Sequence, residues 1–349
     1  MPQEPSISPL ERPAVAEQTS ITVVGRAWAP RVGKRVLGRV RLYAGALTAL
    51  VILCVYLTVT QQFFLTKANI LDMLASNSDL MLVSIGMTFA VLSAGFDLSV
   101  GSIVAASGLA AYGVAAAHLS PVLVILATIG LGIGIGALVN GMLIGGFRLN
   151  FFVVTLGSMT LISGLTAVLT NGQTKLITSG GVFAAIGNGS ALGVPVPVWI
   201  CLAALVLAAA VLHYTPFGRA VYAVGGNREA ARLAGINVTL VIILVYAITG
   251  MSGALAGLVD ASRLASASPT SGSSLALTAG AAVLLGGTSF FGGIGGVGGT
   301  IVGVLLISVL QNGLGLMGVS SFWQGVVTGA VLIAAVIIDR LQTPASKRR

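Results

Sequence analysis

The sequence predicts an all-α polytopic membrane protein of about ten transmembrane helices, and three observations predict it. Only 8% of the 349 residues are charged, against about 25% in an ordinary soluble domain. Mean hydropathy is +1.02, with 56% hydrophobic residues. The apolar residues come in runs of membrane length, about 20 residues being what a helix needs to cross the hydrocarbon core. They do not alternate as the strands of a membrane β-barrel would.

The chain starts with a polar, proline-containing stretch, residues 1–42, that turns basic at Arg26, Arg31, Lys34, Arg35, Arg39 and Arg41. This reads as a disordered cytoplasmic tail and not as a cleaved signal peptide, whose charged region is shorter and whose cleavage site has small residues. The basic cluster is explained by orientation of the first span. Residues 43–340 form the transmembrane domain, and 341–349 are a second basic cytoplasmic tail. The apolar runs lie near 43–60, 80–96, 99–119, 121–146, 151–170, 197–213, 239–259, 275–293, 297–318 and 322–338. With the N-terminus inside, fifteen basic residues fall on the cytoplasmic side. Three fall outside: Lys67, Lys175 and Arg263. That asymmetry predicts ten spans with both termini cytoplasmic.

Glycine recurs at four-residue spacing, as in Gly130/Gly134, Gly132/Gly136, Gly253/Gly257 and Gly295/Gly299/Gly303. Such spacing lets helix backbones approach closely. Breaks lining a substrate path are a compatible second reading. There is also an echo 172 positions apart. Asn140-Gly141 matches Asn312-Gly313, Gly146 matches Gly318, Val154 matches Val326, and Gly157 matches Gly329. A shift of five spans reverses orientation, so the echo would fit two inverted five-helix halves.

Several chemistries are excluded. No Gly-x-x-x-x-Gly-Lys-Ser/Thr loop exists, so the chain is expected to bind no nucleotide, and the glycine run 286–299 reads as an inter-helix turn. Metal-ligand spacing is absent: His118 and His213 lie at span ends, away from any Cys, Asp or Glu that could join them. Cys54 and Cys201 fall in apolar runs and read as packing residues, with neither disulfide nor metal. The net charge of +9 sits in tails and short loops, so no nucleic-acid partner is expected. Asp79, Asp97, Asp260 and Asp339 are placed at span ends, where burying a charge costs little, and no buried carboxylate pair is expected. That weighs against an ion-coupled secondary transporter, the alternative class for such a chain. A membrane-embedded enzyme has no catalytic group to offer.

Two stretches remain. In Phe96-Asp97-Leu98-Ser99-Val100-Gly101-Ser102, Asp97 and Ser99 can cap the helix that follows, and a gate or substrate contact is the other reading. In Asn227-Arg228-Glu229-Ala230-Ala231-Arg232-Leu233-Ala234-Gly235, Asn227 can cap, the alanines favour helix and Gly235 can end it. A short amphipathic helix on the cytoplasmic face is expected there.

These residues carry a resemblance. Glu229-Ala230-Ala231-x-x-x-Gly235 is similar to the Glu-Ala-Ala coupling motif of ABC importer permeases. Gly95-Phe96-Asp97-Leu98-Ser99-Val100-Gly101 resembles the Gly-Ile-Asp-Leu-Ser-Val-Gly block of the ribose/xylose/galactose-type permeases, with Phe for Ile. Leu285-Gly286-Gly287-Thr288-Ser289 and Gly318-Val319-Ser320-Ser321-Phe322-Trp323-Gln324 resemble that group's remaining signatures. The resemblance spans about residues 65–340 and implies the inner-membrane subunit of a binding-protein-dependent sugar importer. It implies a separate cytoplasmic ATPase holding the ATP and Mg, a periplasmic sugar-binding protein, and a second permease chain, expected to be a homodimer partner. Asn227, Arg228, Glu229, Ala230, Ala231, Arg232 and Gly235 would form the coupling segment. Substrate contacts are not assigned by any of these motifs.

Overall fold

The computed structural model describes residues 32–330 and 333 other than 118, 179, 321 and 328, with side chains from Ala44 onward except that of residue 182. Of the expected tail over 1–42, residues 1–31 lie outside the described residues and 32–42 are the helical start of α1 (Val32–Thr60). The tail over 341–349 and, in the run at 322–338, residues 328, 331, 332 and 334–338 also lie outside them. Five described helices are long and apolar enough to cross a membrane: α5 with its π-helical continuation (Pro121–Gly146), α6 (Phe151–Thr170), α8 (Val196–Tyr214), α11 (Val238–Leu264) and α13 (Val297–Leu316). The pair α2 (Lys67–Ser76) and α3 (Ser78–Leu92) is long and apolar enough only when its two helices are taken together, and it is bent by 48° at the break, the geometry of a broken span or a re-entrant loop. Shorter apolar helices are the 44–60 part of α1, α4 (Val100–Ala116) and α12 (Leu275–Leu285), and α7 (Val182–Asn188) is a short helix between α6 and α8. Each of the first nine predicted runs thus contains helix. α2 is an addition, because Lys67 and Asp72 hide its apolar side from a hydropathy count.

α11 is the central post. It packs along α3, α4 and α5 with its continuation, while α12 and α13 pack against each other and against α3. Tyr246, Val245, Ala254, Ala256 and Val259 of α11 are buried with Leu82, Met87, Phe89 and Leu92 of α3. Glycines set the helix spacing where lipid gives no hydrophobic drive for association. A Cβ on Gly136 would run into the Tyr246 carbonyl oxygen, one on Gly257 into that of Val104, and one on Gly303 into that of Ala282. Gly130 and Gly134 face open space instead. Gly303→Leu is therefore expected to destabilise the chain by about 1–3 kcal/mol through overpacking. Gly130→Leu should leave it unchanged, and thermal unfolding of the two variants in detergent checks the contrast.

The 172-residue offset reappears in the geometry. α3 ends at Leu92 and α11 at Leu264, positions that differ by 264 − 92 = 172. Ala94 (φ 57°) and Ala265 (φ 48°) follow in the left-handed region that usually takes glycine. An irregular segment follows each, and then a short helix, α4 or α12. The two segments meet where Gly101 and Gly272 touch: a Cβ on either would collide with the other's backbone. From there α4 runs towards the strand pair Lys175–Leu176 (β1) and Ser266–Ala267 (β4), the other strand pair among the described residues being Ser190–Ala191 (β2) and Val194–Pro195 (β3). α12 runs the other way, to a turn over residues 286–296 that meets Leu92. The two short helices run in opposite directions, as inverted halves require.

Two expected runs are corrected. The run 80–96 is helical only to Leu92, and 275–293 only to Leu285, where Gly287 (φ 78°) ends the helix. The span 121–146 is also unusual. Its last twelve residues, Ile135–Gly146, are a π-helix, a wider coil that is rare and concentrates at functional sites.

Candidate functional site

Hydropathy places the segment between α3 and α4 at a span end, and the structure buries its carboxylate fully: Asp97 is 0% exposed. A charge there is tolerated only if donors surround it. Asp97 Oδ1 accepts from the Ser99 N–H at 2.9 Å and from the Ser99 hydroxyl at 2.6 Å. Oδ2 accepts from the Thr249 hydroxyl of α11 at 2.8 Å. The Val100 N–H also points at the carboxylate. Asp97 therefore sits at the positive N-terminal end of α4.

The expected capping by Ser99 is not observed: its side chain makes no cap hydrogen bond to α4. Its hydroxyl is committed to Asp97 and accepts from Asn140 Nδ2 at 2.7 Å. Asn140 Oδ1 in turn accepts from the Ser158 hydroxyl of α6 at 2.7 Å. Donors thus run one way, Ser158 to Asn140 to Ser99 to Asp97, joined by Thr249 from the other side. The chain ties α6, the π-helix, the 93–99 segment and α11 to one carboxylate. Thr249 stands about 16 Å from the start of α11 at 1.5 Å per residue, so the node lies deep in the bundle. Gly101, the third predicted residue of this block, makes the contact with Gly272.

Beside the node, a cleft of about 720 Å³ opens between α4, α5 with its continuation, and α6. It is walled by apolar side chains, with Ser158, Thr166, Thr170, Tyr112 and Lys175 as polar exceptions. Leu161, Leu165, Val168 and Leu169 of α6 are exposed along its side.

A second polar group was also missed. Asp260 Oδ1 lies 4.0 Å from Arg263 Nη2, and Asp79 is near enough to feel both charges. Arg263 Nη1 also donates to the Ser76 hydroxyl at 3.1 Å. Both carboxylates are half-buried, so the expectation of no buried carboxylate pair stands, but Asp79 of α3 and the Asp260–Arg263 pair of α11 lie close to one another where the two helices come together. Of the two cysteines expected to be buried, Cys201 is and Cys54 is half-buried; both thiols are free.

At the other end of α11 the predicted coupling segment folds as read. α9 (Pro216–Gly226) leads into α10 (Arg228–Leu233). Asn227 caps α10, its Oδ1 accepting from the Ala230 N–H at 2.9 Å. Gly235 (φ 82°) turns the chain away after it. Ala231 is buried and anchors the helix, while Arg228, Glu229, Ala230 and Arg232 are exposed. Arg232 donates twice to Glu229, Nη2 to Oε1 at 2.6 Å and Nε to Oε2 at 3.1 Å. That hydrogen bonding holds the Glu229 carboxyl below its usual range, with the charges of Arg232 and Arg148 adding to it. The two predicted groups are not merged, but Arg228 links them. Its Nη2 donates to the Ser93 and Ala94 carbonyls at 3.4 and 3.3 Å. Among the described residues no group of His, Cys, Asp and Glu could hold a metal ion.

Apolar spans, a buried polar node in the irregular segment between α3 and α4 and an exposed charged helix at the N-terminal end of α11 define a polytopic membrane transport subunit. The chain belongs to the family described as branched-chain amino acid transport system / permease component, which matches residues 69–336. It is 45% identical over 301 residues to the ribose import permease protein RbsC of Bacillus subtilis (strain 168), covering 85% of this chain and 92% of that one. It is 40% identical over 297 residues to RbsC of Escherichia coli (strain K12), covering 84% and 92%. It is 34% identical over 319 residues to the L-arabinose transport system permease protein AraH of the same strain, covering 89% and 94%. No solved structure matches the chain.

Proposed function

We propose that this chain is the membrane-spanning subunit of an ATP-driven importer for a monosaccharide or related polyol, and that α10 is the handle by which an ATPase drives it. The observation that carries the reading is the Glu229–Arg232 helix: capped, charged and exposed beyond its one buried anchor. A segment this polar in a chain with 8% charged residues is best explained by a partner in water. The sugar class rests on the ribose and arabinose permeases above and not on pore residues.

In this reading the ATPase is a separate subunit that holds the ATP and Mg, and this chain binds no cofactor and performs no chemistry. A binding protein delivers the sugar at the end carrying β1 and β4. Both termini face the cytoplasm of the inner membrane, as the basic residues favour. A second copy of the chain closes the open side of the α6 cleft and completes the path. The 97–101 block serves as the gate region, because its contact with Gly272 joins the two inverted halves.

The rival, a stand-alone ion-coupled carrier, needs a vacant intramembrane ion site. Asp97 does not offer one, since both its oxygens accept hydrogen bonds from protein groups. The test is gentle detergent purification from the native membrane with mass spectrometry of what accompanies the chain. A stoichiometric ATPase subunit, lost when Glu229 and Arg232 are replaced, is expected. Its absence under several mild conditions, with ion-driven uptake by the chain alone, would replace this reading by the rival.

A further inference from the structure

α9 and α10 are tied to both breaks in the bundle. On one side, Arg228 donates to the Ser93 and Ala94 carbonyls, in the segment that leads to Asp97 and α4. On the other, the Tyr222 hydroxyl of α9 donates to the Gly295 carbonyl at 3.0 Å, in the turn that follows α12. The two anchor points also touch each other. The Gly293 N–H donates to the Leu92 carbonyl at 2.9 Å, and Gly225 of α9 lies against both, leaving no room for a Cβ. α4 and α12 then converge again at Gly101 and Gly272.

This arrangement has a mechanical consequence. A helix tied to only one break would tilt one half of the bundle and leave the other behind. Here two adjoining short helices, packed against each other, hold the backbone of both, through side chains that end on carbonyl oxygens. Ala94 and the glycines at 292, 293, 295 and 296 hold positive φ values, so these anchor points are turns and not helix. Turns absorb a change of direction that packed helices resist, which is where hinges are found. Thr249, on the continuous helix α11, holds the Asp97 segment from the other side.

We propose that Tyr222 and Arg228 are positioning residues that make α4 and α12 move together, so that displacement of α10 parts them at the Gly101–Gly272 contact. The inference rests on the docking reading above and adds which residues transmit the movement. A ligand or partner shifts such an equilibrium only through a difference in contacts between the two states. The two side-chain ties are that difference on the permease side.

Tyr222→Phe is the leading test, because it deletes one hydroxyl and leaves the exposed face of α10 intact. The assembled complex of permease, ATPase and sugar-loaded binding protein is reconstituted in liposomes, and ATP hydrolysis and sugar uptake are measured separately. ATPase co-purification and hydrolysis are expected to persist, while sugar taken up per ATP falls about tenfold. Spin labels at position 116 at the end of α4 and position 291 in the turn after α12 give a second readout. Their separation should respond to nucleotide in the parent complex and lose that response in Tyr222→Phe and in Arg228→Ala. An unchanged sugar-to-ATP ratio with an unchanged nucleotide response in Tyr222→Phe overturns the inference and leaves the docking reading standing. If no ATPase assembles with the parent chain, the docking reading fails first and the inference falls with it.

Discussion

Asp97→Ala is expected to abolish uptake and to lower the stability of the chain by about 3 kcal/mol, the largest effect of any single polar substitution in the bundle. The substitution removes the acceptor of the Ser99 N–H, the Ser99 hydroxyl and the Thr249 hydroxyl at once. It also leaves the N-terminus of α4 without its counter-charge. In water, stranding a buried donor costs about 1–3 kcal/mol. Inside a bilayer each side-chain link averages about 0.6 and reaches about 1.7 kcal/mol, because the unfolded helices find other partners there. Three links and one lost charge contact therefore add to a few kcal/mol and not to ten. Asp97→Asn keeps an oxygen for Ser99 and should recover about half the loss. Thr249→Val removes one donor and should cost about 1 kcal/mol. Thermal unfolding in detergent, with uptake measured alongside, orders the three variants. If Asp97→Ala melts with the parent protein, the node is not what joins α6, the π-helix and α11.

How much of this was legible in the sequence depends on the distance over which each feature acts. The helices were legible because hydropathy is a local property, and so was α10, because Asn227 and Gly235 bracket it within nine positions. The burial of Asp97 was not. A hydropathy window finds where an apolar run ends, but not whether the chain at that end turns back into the protein. The partners of Asp97 and Ser99 lie 152 and 41 positions away, on helices whose faces no pattern assigns. Asn140 did leave a trace, as a lone amide in an apolar run that echoes Asn312. Both turn out to link helices: Asn312 exchanges hydrogen bonds with Asn69 at 2.9 and 3.1 Å. An isolated amide in a membrane span is costly unless paired, so the two asparagines were the available signal. The echo itself proved more informative than its few identities, because it coincides with the ends of α3 and α11.

Glu229→Arg is expected to abolish ATP-driven uptake with the fold retained. Glu229 is 63% exposed on its side chain and pairs with Arg232 on its own helix, so replacing it should leave the unfolding temperature unchanged. The electrostatic change is much larger in kind. The helix would carry three arginines in five residues, with Arg148 close by and no acid among them. In the docking reading proposed above, a partner surface that fits the mixed charge of the parent helix would meet like charge in this variant, which opposes association and slows it. Loss of uptake alone leaves two causes open, since the mutation also breaks the Glu229–Arg232 pair. The exchanged double variant, Glu229→Arg with Arg232→Glu, separates them. It restores a pair within α10 but inverts the order in which the partner meets the charges. If the pair matters only for holding the helix, uptake returns in the double variant. If the charges are read by the ATPase, uptake stays lost while unfolding temperature matches the parent chain. The exposure of both side chains favours the second result: an ion pair this wet contributes little to folding, and its placement at a capped, outward-facing helix leaves recognition as the role that fits.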